Sequence, residues 1–66
     1  MENFTEIEKT AIANFISQAK SVDSEKRVQI ISKMTDLCSR GECPFYKGSK
    51  ISIAAVKYTI DEIKAL

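Results

Sequence analysis

Cys38 and Cys43 carry the most readily oxidised and most nucleophilic side chains of the chain, and they are separated by only four residues, Ser39-Arg40-Gly41-Glu42. Three chemistries compete for them. In a reducing compartment Cys38 packs as a small apolar residue and Cys43 stays a free thiol in a loop. In an oxidising compartment the pair closes a disulfide, which for so short a loop contributes only about 2 kcal/mol by chain entropy. Metal binding is the third. Zinc takes about four ligands, and a chain with two cysteines and no histidine would need carboxylates or a second copy to complete the set. No metal or other cofactor is expected. A four-residue spacer also differs from the two-residue spacer of thiol oxidoreductases.

Phe45, Tyr46 and Lys47 follow directly. Adjacent aromatics beside a cation can stack on bases or fill a groove on a partner, or fold back over the open end of a helical bundle. The expectation is that Phe45 folds back as a lid and Tyr46 stays exposed.

Charge is uneven although the total is only +1. Residues 1–25 hold five acids and two bases, a balance of −3, whereas residues 26–60 hold seven bases and two acids, a balance of +5. Lys26, Lys33 and Arg40 recur every seven residues, as do Lys50, Lys57 and Lys64. Read as helices, these segments display two basic ridges. If the ridges face one way, they and Lys47 can track phosphates. As isolated ridges they are solvated cations that keep an apolar helix soluble while their stems cover hydrophobic neighbours. Catalysis has less support. The chain lacks histidine, a glycine-rich phosphate loop and a nucleophile elbow, and its pattern gathers no pair of carboxylates in a cleft.

The elements that must position these residues are predicted to be three helices, a compact all-α bundle in a single domain spanning residues 1–66. The first runs from Asn3 or Thr5 to Ser21, with Phe4, Ile7, Ala11, Ile12, Phe15, Ile16, Ala19 and Val22 near one face. Glu8 interrupts that face three residues after Thr5, the spacing of a capping box. The second runs from Ser24 to Arg40, opened by Asp23 or Ser24 and stopped by Gly41. Val28, Ile31, Met34, Thr35 and Cys38 mark one side of it, with Ile30 and Leu37 widening the apolar arc. Pro44 holds the connection extended, and Ser49 is expected to cap a third helix ending at Ala65. Alternation at Ile51-Ser52-Ile53 offers a rival strand from Lys50 to Tyr58, set aside because a lone strand has no sheet to join.

The third helix so drawn has little polar surface. Ile53, Val56, Ile60 and Ile63 make one stripe, and Ile51, Ala54, Ala55, Tyr58 and Ala65 a second. One stripe serves the core, for which Phe4, Ile12, Phe15, Val28, Ile31, Met34, Ile53, Val56, Ile60 and Ile63 are the candidates. The other predicts a surface for a second chain, since a helix apolar nearly all round is normally buried nearly all round. Domains of about this size commonly add a partner, a disulfide or a metal.

The resulting expectation is a non-enzymatic protein-interaction module, an adaptor, regulator or inhibitor. It would dock through Ile51, Ala55, Tyr58 and Tyr46, most simply as a homodimer. The alternative is a nucleic-acid-binding regulator using Lys26, Lys33, Arg40, Lys47, Lys50 and Lys57. No small-molecule substrate is evident. The longest apolar run is four residues, Ile53 to Val56, too short for a membrane span, and the acidic start Met1-Glu2-Asn3-Phe4 does not resemble a secretory signal. A cytoplasmic protein is expected.

Overall fold

A computed structural model describes residues 3–66. Three helices form the molecule: α1 (Glu6–Lys20), α2 (Ser24–Ser39) and α3 (Ile53–Lys64), with a two-stranded hairpin, β1 (Phe45–Tyr46) and β2 (Ser49–Lys50), between α2 and α3. The all-α three-helix fold read from the sequence is the fold observed. No helix among the described residues is long and apolar enough to cross a membrane.

Local chemistry sets each boundary. Thr5 caps α1 in a reciprocal capping box: its hydroxyl accepts from Glu8 N–H at 3.1 Å, and the Glu8 carboxylate accepts from Thr5 N–H at 3.0 Å. Asp23 caps α2 through Lys26 N–H at 2.9 Å. Gly41 ends α2 at φ +70°, a conformation that costs glycine nothing. Its N–H reaches Cys38 O and the N–H of Glu42 reaches Leu37 O, the paired bonds of a Schellman motif. Arg27 adds a tertiary cap, its Nε donating to Ala19 O at the C-terminal end of α1, where carbonyls lack helical partners and a cation suits the dipole.

The third helix starts later than its apolar pattern predicts. Ser52, not Ser49, is the cap, with Oγ accepting from Ala55 N–H at 3.2 Å. Ser49 and Lys50 instead pair antiparallel with Tyr46 and Phe45, and Ile51 N–H extends the ladder to Pro44 O at 2.8 Å. The two residues between the strands, Lys47 and Gly48, both have positive φ, at 51° and 82°. That is the requirement of a type I′ turn, whose twist matches the strands it joins. Of the rival strand from Lys50 to Tyr58, only Lys50 lies in a strand, and the residues from Ile53 on are helical.

The core is centred on Ala11, Ile12, Ile51, Ala55, Val56 and Ile60, with Ile63 and Ala19 also buried. Phe4, Phe15, Ile31 and Met34 pack half-buried against it. Ile53 is half-buried as well. Val28 is a correction to the expected core: it is 63 % exposed, because α2 turns Ile31, Met34 and Cys38 inward and leaves Val28 and Thr35 beyond the edge of the seam. α3 packs on both other helices, while α1 and α2 meet each other least. No α2 side chain is fully buried.

Candidate functional site

Two of the residues expected to form a surface on α3 are buried. Ile51 is 1 % and Ala55 0 % exposed. Both belong to the core, Ile51 as part of the extended segment that leads from the hairpin into α3. Because Ile51 is not helical, the second stripe loses its first member, and of the rest Ala55 is buried, Tyr58 half-buried, and Ala54 and Ala65 exposed. Tyr58 is half-buried with its ring edge-on to Phe4 at 5.6 Å. The Glu62 carboxylate one turn on accepts from its hydroxyl and pushes that hydroxyl above its ordinary acidity range, with partial burial and the Glu62 charge acting in the same direction.

The aromatic pair is reversed with respect to expectation. Tyr46 folds back: its ring lies edge-on to Phe15 at 6.0 Å and its hydroxyl accepts from Asn14 Nδ2 at 3.3 Å. Lys47 Nζ sits 5.6 Å from the centre of that ring. Phe45 is 70 % exposed. Successive strand residues point to opposite faces, so only one of the two can enter the core, and the tyrosine has a polar partner waiting for it.

Phe45 borders an apolar groove of about 360 Å³ between α2 and the hairpin. Its floor is Phe15, Ile51 and Val56; one wall is Ile30, Met34 and Leu37 of α2, and Pro44 and Phe45 form the other. The groove exists because α2 spreads its apolar arc wider than α3 can cover. Ile31 and Cys38 meet the core, while Ile30 and Leu37 remain half-buried beside the hairpin. Lys33 is the one ionisable side chain in the lining, with Gln18 and Thr59 its other polar members. Thr59 is already spent, its hydroxyl donating to Ala55 O at 2.8 Å. Such a lining can desolvate an apolar ligand, but it holds no acid–base pair.

The basic residues do not converge. Lys26, Lys33 and Arg40 are exposed along α2, and Arg40 is engaged by Asp36 at 3.3 Å and Glu42 at 3.1 Å. Lys50 lies on β2, which shortens the α3 ridge to Lys57 and Lys64. Those two line a more open depression of about 250 Å³ with Thr35, Cys38, Ile60 and Asp61. Lys33 borders the groove instead, so the ridges flank opposite sides of the line where α2 meets α3. Cys38 and Cys43 are both half-buried free thiols, and Cys38 packs against the core.

Glu8 is the residue whose second role the sequence did not disclose. Besides closing the α1 cap, its other carboxylate oxygen accepts from Ser52 N–H at 2.9 Å, at the N-cap of α3. Donation from the backbone N–H groups of Thr5 and Ser52 lowers its pKa from 4.5 to about 2, against the opposing effect of burial. One buried carboxylate thus holds two helix starts together, which fixes the angle at which α3 leaves the hairpin. Comparison of the chain with known protein families, curated proteins and solved structures finds no match.

Proposed function

We propose that this chain is a small non-enzymatic interaction module that docks an apolar segment of another polypeptide in the groove between α2 and the hairpin. One observation carries the reading: a phenylalanine stands 70 % exposed opposite a half-buried Ile30–Met34–Leu37 face, with an apolar floor between them. Aromatic and aliphatic side chains around a partly enclosed groove are the usual anchors of binding energy. Two helical turns separate Ile30 from Leu37, about 10 Å along the axis at the α-helical rise. That length suits a ligand helix presenting anchors at i, i+3 or i+4, and i+7.

Selection from a displayed library of random sixteen-residue peptides tests it. Wild-type protein should enrich peptides whose affinity drops tenfold or more on Phe45→Ala, a variant that leaves the core untouched. If every enriched peptide binds the variant equally well, the groove is not the docking site.

A further inference from the structure

We infer that the segment taken by this groove is acidic, its carboxylates meeting Lys33 on the α2 rim and Lys50 on the hairpin rim. The inference rests on the docking reading above and adds the chemistry of the partner. Phe45 and Lys50 are directly paired across the hairpin, and directly paired residues project from the same face of a two-stranded ribbon. Lys50 therefore stands on the same side as the phenylalanine that borders the groove. Lys33 lines the groove from the other wall. Neither lysine has a carboxylate partner among the ion pairs of the described residues.

The acids of α2 and the following loop lie elsewhere. Glu25 sits in the first turn of α2, Asp36 and Glu42 engage Arg40 at its end, and no carboxylate lines the groove among the described residues. An apolar trough with a cation on each rim selects against a basic ligand, which would set like charges beside a desolvated surface. It favours an amphipathic helix with Asp or Glu on both flanks of its apolar stripe. The cations of α3, Lys57 and Lys64, sit with Asp61 on the far side of the α2–α3 seam and take no part.

The same peptide selection, followed by charge exchange, tests this. Peptides that depend on Phe45 should carry a net negative charge. Replacing their acids by lysine should weaken binding to the wild type at least tenfold at low salt. The doubly reversed protein, Lys33→Glu with Lys50→Glu, should restore the lysine-bearing peptides and lose the original ones. Both positions are exposed, and a helical circular dichroism spectrum checks that the variant folds. Phe45-dependent peptides with no acidic bias and no response to charge exchange would overturn the inference while leaving the docking groove standing. Failure to recover any Phe45-dependent peptide would remove the groove reading and this inference together. Mixed-sequence duplex DNA is the remaining probe: binding at low salt that is abolished by the double reversal and competes with the peptides would assign the rim lysines to phosphates and overturn the acidic-segment proposal.

Discussion

The carboxylate of Glu8 accepts from two backbone N–H groups that begin different helices, so its charge is worth more than that of an ordinary surface acid. Hydrogen bonds to an ionised group contribute about 1.5–3 kcal/mol each when well formed. Glu8→Ala should therefore cost about 2–3 kcal/mol in urea unfolding, after allowing for water that replaces part of the loss. Acidity gives a second handle. The folded pKa is depressed to about 2 from 4.5, so the carboxylate's contribution is fully present above the unfolded value and is lost as pH falls from the region of 4.5 towards 2. Glu8→Gln should flatten that acid limb of the stability profile. The Thr5–Glu8 spacing made the capping box legible. The bond to Ser52, 44 positions away, requires the tertiary fold, and nothing local announces it.

At the scale of elements, the hairpin is what the sequence reading missed and what most changes the functional picture. Lys47-Gly48 carries the glycine of a two-residue hairpin turn but not the Asn or Asp that usually precedes it, and strands of two residues are too short for alternation to outweigh a helical pattern that starts close behind them. The consequences propagate. Ile51 becomes core, Phe45 turns outward and Lys50 pairs with Phe45 across the hairpin. Gly48 tests the turn. A Cβ there would meet nothing within 4 Å, so Gly48→Ala bears only the cost of a left-handed alanine, about 1 kcal/mol after the entropy lost from the unfolded chain is counted. A crowded turn would lose several times more. α2 supplies the complementary prediction. Since it buries no side chain fully while α3 buries five, amide exchange should be faster in α2 than in α3. Equal protection would mean that α2 is held by interactions other than core packing.

For the whole molecule, Ile51 and Ala55 of the second apolar stripe are buried within one chain, while Ala54 and Ala65 of the same stripe are exposed. α3 packs on both α1 and α2. Ile51→Ala should accordingly destabilise the monomer by about 2–5 kcal/mol, much of the stability available to a small domain, with a Tm that does not depend on protein concentration. Helix number, order and every helix boundary except the start of α3 were legible, because caps and a glycine stop are local signals. The groove was not, because it is the part of α2 left over after α3 has packed, a remainder that depends on three elements at once.

We propose that this remainder, facing Phe45, is where a partner binds. Titration of nitrogen-15-labelled protein with a selected peptide checks this. Amide shifts should cluster at Ile30, Lys33, Met34 and Leu37 on α2 and at Phe45 and Lys50 on the hairpin. Shifts confined to Thr35, Lys57, Asp61 and Lys64, across the α2–α3 seam, would contradict it.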